Sequence, residues 1–483
     1  MSALIQWGDW CAELRVDDIP NDVLRRAQLQ HISTAGAIRS TAHFDAPDLG
    51  SEAAARAGRS CLLDFTDHLI WSQTSPGAVC PTWSDTTGRK AVDLMATTVA
   101  ANEIGARLGL ALGPRTAPDL QPWWIHSLCA AVVRSRQMAL NGSQTTHALA
   151  LALSQCPAPS GTTLSHTEQA LATARCVQAG LDAATAASEG KKGPTDWLEA
   201  TGTPFSEACI PQGARAFTGL GQIWLGRTTA YALQPGNLFS KVAVQATQEI
   251  LQRHIKAADR RLRVDQVHRI EIRTHAWSLS SAQGSLDPAA VCQSTAQQIG
   301  LTLATHNLNA SQFHPSVLSE HAEAIQSVAS KVEMHHNWTS TIGMAQQLRQ
   351  SLKPLYGDQS FRQLLKSLPK GVGFPPRSQW TRILKARPDR LLQSQQGKFA
   401  ELDSLGFRYP FATEVKLFTT RGGWWPERRD TPEGAPGWSW QATVDGVAEK
   451  WACGQEGAAK KASEKLDSLP TGAARTWVRG LGV

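Results

Sequence analysis

KAVDLMATTVAANEIGARLGLAL, residues 90–112, decides the fold class. It is alanine-rich, with small residues throughout, a composition that lets helices approach closely and that suits a buried helix better than a solvent-facing amphipathic one. The same theme recurs on either side. HSLCAAVVRSRQMALNG (126–142) reads as a helix stopped by Asn141-Gly142, with the next helix starting near Ser143. LSHTEQALATARCVQAGLDAATAASEG (164–190) reads as another, ending at Gly190. Upstream, DIPNDVLRRAQLQHISTAGAI offers Asn21 or Asp22 as a cap, followed by apolar Leu24, Ala27, Ile32 and Ala35 on one face. Residues 1–233 are thus expected to form the first part of a large helical domain.

The character changes after Pro235. VHRIEIRTHAW (267–277) alternates apolar and polar residues and predicts a strand. EVKLFTTRGGWWPERRD (414–430) predicts a hairpin turning at Gly422-Gly423. With helices between them, residues 234–436 are expected to be a smaller α+β part, and residues 437–483, with the polar helix GAAKKASEKLDSL, to return to the helical domain. The expected fold is therefore mainly α with a smaller α+β part. Residues 349–398 carry eleven Lys and Arg against Asp358 and Asp389, a local excess larger than the +7 of the whole chain. Such a run is either a solvated face or a basic wall that steers an anion.

The 483 residues, 42% hydrophobic and 18% charged, are the composition of an ordinary globular protein long enough for more than one core. The basic residues are not interleaved with aromatic platforms, so nucleic acid is not an expected partner. None of the nine cysteines stands at C-x-x-C spacing, which suggests neither a zinc site nor a redox pair. No secretory leader and no membrane span is read in the chain, and the expectation is a reduced, cytoplasmic enzyme. No Gly-rich phosphate loop or nucleophile elbow occurs. DDIPND (17–22) is broken by Pro20 and is read as capping, so no metal is expected. The seventeen tryptophans are read as core and interface filling, with an aromatic ligand pocket as the alternative.

Three segments in order resemble the MmgE/PrpD family, which includes 2-methylcitrate dehydratase, cis-aconitate decarboxylase and iminodisuccinate epimerase. LLDFTDHLIWSQTSPGAVCP (62–81) is similar to the family's LDFDDT…HPGAV-P signature. HSLCAAVVRSRQMALNGSQTTHALALALSQ (126–155) is similar to its H-x-x-x-x-A…SQ helix pair, and ARCVQAGLDAATAASEGKKGPTDWLE (174–199) to its G-x-x-GP-x-x-x-LE segment. The resemblance implies a helical domain built from both chain ends, an inserted lid, a homodimer, a small-molecule substrate, and chemistry without metal or organic cofactor: a proton is moved beside a carboxylate, with loss of water or CO₂ or inversion of a centre.

Against the family pattern, about 338–412 of the lid reads as a basic helical insertion, and Asp64 and His126 are retained. His68 replaces the signature threonine, and Ser75 replaces the histidine of HPGAV. Gln169 and Ala172 stand for a lysine and a histidine, Ala232 for a second lysine, Lys241 for a downstream histidine, and Gln297 for the lid tyrosine. Each lost cation removes a charge-assisted contact to a carboxylate, which points away from a tricarboxylate substrate. The expected catalytic set is His68 and His126 as proton carriers, with Asp64, one helical turn before His68, fixing its tautomer. Trp123 and Trp124 are expected to desolvate His126. Ser75, Gln169, Lys241, Gln297 and Trp124 are the expected substrate-binding residues. The implied function is a divergent cofactor-independent lyase, isomerase or cyclase acting on an unsaturated or carbonyl-bearing metabolite, in specialised metabolism. The alternatives are conventional aconitate or methylcitrate chemistry, and a non-catalytic binding protein on the same fold.

Overall fold

The computed structural model describes residues 2–482 except 45–49, 71–74, 113–122, 158–164, 210–212, 280–284, 352–406, 410, 456, 465 and 467. Its helical part contains α1 (Ala3–Glu13), α2 (Asn21–Ser40), α3 (Glu52–Ser60), α4 (Ser75–Val79), α5 (Ala91–Leu112), α6 (Trp123–Gln137), α7 (Gly142–Ser154), α8 (His166–Ser188) and α9 (Pro204–Ala208). Every residue of α5 except Val92 and Asp93 is buried. A helix hidden on all sides must pair its polar groups internally. Asn102 Nδ2 donates to Gln30 Oε1 at 2.6 Å. Glu103 and Arg107 form a fully buried ion pair at 2.6 Å. Glu103 also accepts from the Leu225 and Gly226 amides, and Arg107 also donates to the Thr218 and Ile223 carbonyls. Small residues set the helix spacing: a Cβ on Gly180 of α8 would lie 2.0 Å from the Ser127 carbonyl oxygen of α6, so these two helices touch through their backbones.

Two local expectations are corrected. The N-cap position of α2 is Pro20, and neither Asn21 nor Asp22 caps it. Asp22 instead makes a two-toothed ion pair with Arg227, at 2.6 and 2.9 Å, which ties down the segment leading out of the helical part. Asn141 does not stop α6, which ends at Gln137. It caps the start of α7, accepting from the Gln144 amide while Gln144 reaches back to the Asn141 N–H.

The α+β part begins after a two-stranded antiparallel pair, β1 (His68–Leu69) with β2 (Thr229–Ala230). It contains α10 (Lys241–Ala258), β3 (Val267–Thr274), α11 (Pro288–Gln293), α12 (Thr295–Thr305), α13 (Pro315–Glu320), α14 (Ala322–Ala329), β4 (Val332–His336), α15 (Trp338–Ser351), β5 (Thr413–Thr419) and β6 (Trp424–Arg429). The sheet order is β4-β3-β5-β6, with β3 parallel to β4 and antiparallel to β5, in register Ile270 with Leu417 and Ile272 with Val415. The alternation of VHRIEIRT puts Ile270 and Ile272 inward with Val415 and Leu417, beneath Val244, Ile250, Ile299 and Leu301 of α10 and α12. Gly422 and Gly423 sit in the β5–β6 turn, as expected.

The stretch expected to be an insertion, about 338–412, falls between β4 and β5 and begins with α15; residues 352–406, which hold most of its basic segment, lie outside the described residues. Where the chain re-enters, Phe407, Tyr409 and Phe411 are buried, and Tyr409 Oη is bonded to the Ile70 and Thr228 carbonyls at 2.8 and 3.0 Å. The chain closes with α16 (Trp440–Ala452), α17 (Ala458–Glu464) and α18 (Ala474–Leu481). Val444, Val447, Trp451 and Leu481 join the same apolar cluster as Leu4, Trp7 and Leu29 from the start of the chain. The molecule is mainly helical with a small mixed α+β region.

Candidate active site

Leu62, Leu63 and Phe65 pack into the apolar cluster of the α+β part and Leu69 into a separate one, and the backbone of this stretch is unusual. Leu63 and Asp64 have φ of 64° and 49°, two consecutive left-handed residues with side chains, in a 3₁₀ turn over Leu62–Asp64. Such a conformation costs on the order of 1 kcal/mol or more per residue and persists only where the surroundings enforce it. Here the Gly236 amide donates to the Leu63 carbonyl at 2.8 Å. The turn aims the Asp64 carboxylate at two amide side chains. Gln169 of α8 donates to Oδ1 at 3.0 Å, and Gln293, the last residue of α11, donates to Oδ2. Asn237 in turn donates to Gln293 Oε1 at 2.8 Å. This neutral chain joins the helical part to the α+β part across Asp64. Gln293 and Asn237 carry no sequence signal that would have selected them.

His68 is on β1, not on a helix with Asp64, so the helical-turn argument for that pair is overturned. The left-handed residues break the helix first. His68 is buried, and its Nδ1 has no hydrogen-bond partner among the described residues. Burial pushes its imidazole down to about 3, with the nearby charge of Lys241 acting in the same direction. A contrasting case lies in the helical core. His31 is also buried and also held down to about 3, but Trp83 Nε1 donates to its Nδ1 and its Nε2 is bonded to Thr98 Oγ1, both at 2.9 Å. His31 is a satisfied structural residue; His68 is not.

One position before His68, Asp67 is buried as well. Its Oδ1 accepts from Ser33 Oγ at 2.7 Å and from the Ala232 amide at 3.0 Å, while Oδ2 lacks a partner among the described residues. Burial pushes its carboxyl pKa up, opposed first by the charge of Lys450. Lys450, from α16, is a site residue that sequence reasoning missed. Its Nζ donates to Ser33 Oγ and to the Phe65 carbonyl, each at 3.0 Å, and lies 4.1 Å from the centre of the Phe65 ring. Burial holds it down to about 7, partly offset by Asp67.

Lys241 opens α10 and is the second buried lysine. Burial lowers it to about 8 against the opposing charges of Asp64 and Asp67. Among the described residues its Nζ has neither a hydrogen bond nor an ion pair. Asp64, Asp67, His68, Lys241 and Lys450 therefore form one group of mutually interacting buried residues, with two buried polar atoms, Asp67 Oδ2 and His68 Nδ1, left open. Orphaned buried polar atoms are rare in folded proteins and concentrate where a ligand is handled.

The other expected residues are dispersed. His126 is buried at the start of α6, with Nδ1 unpartnered, burial lowering it to about 4, and the Trp123 ring 6.1 Å away. A Cβ on Gly77 would lie 2.6 Å from the His126 carbonyl oxygen, so α4 rests on the first turn of α6 and couples the SPGAV stretch to His126. Trp124 lies two positions before His126, on a different face of the helix, and packs edge-on to Trp197 at 5.8 Å. Gln297 donates to the Ser285 carbonyl at 2.9 Å and leaves Oε1 unpartnered. Ser75 is the first residue of α4. Among the described residues, no three His, Cys, Asp or Glu converge as a metal-holding group, and no helix is long and apolar enough to cross a membrane.

Residues 55–212, which carry Asp64, His68, His126 and Gln169, match the MmgE/PrpD N-terminal domain. The match supports membership of the chain in the MmgE/PrpD family, whose members include dehydratases and decarboxylases. No curated protein matches the chain closely enough to name as a relative.

Proposed function

We propose that this protein is a cofactor-independent lyase, isomerase or cyclase that moves protons on an unsaturated or carbonyl-bearing metabolite. The observation that carries the reading is the pairing of His68, buried and neutral with an open ring nitrogen, with Lys241, a buried amine bound to no protein group among the described residues. A neutral imidazole accepts a proton, and the ammonium returns one or holds developing negative charge on an enolate. His126 acts as the second proton carrier, on the helix coupled to the rim through Gly77. Asp64, held by two amides, fixes the wall of the site and keeps Lys241 charged for part of the time. The amides of Gln169, Gln293 and Gln297 favour a substrate with fewer carboxylates than the family's tricarboxylates. The family resemblance supports a homodimer as its working form.

Lys450 favours a second reading, in which Lys241 and Lys450 together hold carboxylates for conventional aconitate or methylcitrate chemistry. Proton NMR in D₂O separates the two. Itaconate formed from cis-aconitate, or 2-methylaconitate formed from 2-methylcitrate, supports the second. Deuterium uptake into less charged carbonyl metabolites, lost in His68→Ala and His126→Ala variants that still fold, supports the first. Normal turnover in both variants would refute the assigned roles.

A further inference from the structure

The two buried lysines of the seam differ in one respect. Lys450 is fully engaged, with two acceptors at 3.0 Å and an aromatic face beneath it. Lys241 is equally buried as a residue, and its Nζ makes no hydrogen bond or ion pair among the described residues, although that atom is not wholly enclosed. An ammonium drawn into the protein interior without a partner forgoes solvation, and an amine that is reachable there is available to a ligand. The groups that act on it electrostatically are Asp64, Asp67, Cys292, His68 and Lys450. Asp64 is occupied by Gln169 and Gln293, and Asp67 by Ser33 and the Ala232 amide. None of them is bonded to Nζ. Backbone capping does not occupy the side chain either, since Lys241 is the first residue of its helix.

We infer that Lys241 is a covalent catalytic residue, whose amine forms an iminium with an aldehyde or ketone substrate. The Nζ lone pair makes a bond to the carbonyl carbon while the C=O π pair moves to oxygen. That oxygen takes one proton from Nζ and one from solvent and leaves as water, giving a protonated C=N. The cation then draws electrons from an adjacent C–H or C–CO₂⁻ bond, and His68 is placed to take the released proton in the first case. This rests on the acid–base reading above and narrows its substrate class to carbonyl compounds. Burial that lowers Lys241 to about 8 leaves about a tenth of it as free amine near neutrality, far more than an ordinary lysine.

Pentane-2,4-dione tests this directly, because it condenses with nucleophilic lysines to a stable enaminone without a reductant. Wild-type protein is labelled near neutral pH and mapped by peptide mass over time. The expected result is modification of Lys241 about tenfold or more ahead of exposed Lys256 and Lys460, with Lys450 unmodified. Lys241→Arg removes the early label and keeps a charge at the position. Labelling of Lys241 no faster than Lys256, or none, overturns the inference, since a site closed to a small diketone is closed to a carbonyl substrate too. The mapping needs no variant, so a failure of Lys241→Arg to fold leaves the result intact. The acid–base reading is judged separately. Histidine-dependent deuterium uptake without Lys241 labelling sinks the iminium alone. Lys241 labelling with deuterium uptake that is indifferent to His68 and His126 sinks the histidine roles alone.

Discussion

Replacing Lys450 by Met removes the ammonium while keeping an unbranched stem of similar length over the Phe65 ring. In the folded protein burial holds Lys450 at about 7, against 10.5 for an ordinary lysine. Between those values the unfolded chain carries a proton that the native chain has shed. Stability therefore rises with pH across this window and levels off above it, and below about 7 the penalty for burying the charge is fully present. From about pH 7.5 to about pH 9.5 this one group contributes roughly 2–3 kcal/mol of rising stability, which Lys450→Met lacks. At the lower pH the variant also loses the bonds to Ser33 Oγ and the Phe65 carbonyl, a cost of about 1–3 kcal/mol. Its deficit relative to wild type should therefore widen with pH to roughly 3–6 kcal/mol. Urea midpoints followed by tryptophan fluorescence at the two pH values measure it. Only the difference between the two proteins is diagnostic, because buried thiols pushed up by burial, such as Cys11 and Cys61 at about 12, work in the opposite direction in both. A gap that stays constant or narrows with pH would show that Lys450 is not a buried amine with lowered affinity for its proton.

Gly77→Ala should cost about 1–3 kcal/mol and reduce turnover, because its methyl would meet the His126 carbonyl at 2.6 Å and push α4 away from α6; an unchanged melting temperature would refute that packing. The thiols of Cys156 and Cys176 lie 3.7 Å apart, one half-buried and one buried, a proximity that the scattered cysteine spacing did not suggest. Mild hydrogen peroxide should join them, with loss of two hydrogens and a single linked peptide on a non-reducing map. Sulfinic acid at Cys156 without the link would refute it.

The helices were legible because an alanine-dense segment leaves few alternatives, and VHRIEIRT because its alternation has period two. Asp64 and Gln169 were legible as a position in a family pattern, but their mutual hydrogen bond was not, since neither residue type signals the other. The geometry between Asp64 and His68 was misread because spacing alone assumes that the helix continues, and two left-handed residues break it. Lys450 stayed hidden for a different reason. Beside Glu449 it reads as a solvated lysine, although Val444, Val447 and Trp451 follow a helical apolar spacing that places its neighbours against the core. Its partner Ser33 lies in a helix from the other end of the chain. Asp67 stands in the LLDFTDHL stretch of the first resembling segment, yet only the folded chain shows that it shares Ser33 with Lys450.

The Lys450–Ser33–Asp67 bridge joins residues 417 positions apart. A ribosome adding about 5–20 residues per second needs roughly 20–80 s to go from one to the other. For that interval α2 has been made and the face that α16 will cover stays open, with Ser33 and Asp67 lacking their cation. The helical part is therefore a late-closing structure despite supplying the first residues synthesised. Its nascent form should depend on holding factors that shield apolar surface, and the final helices, rather than the first ones, should time release of a completed fold.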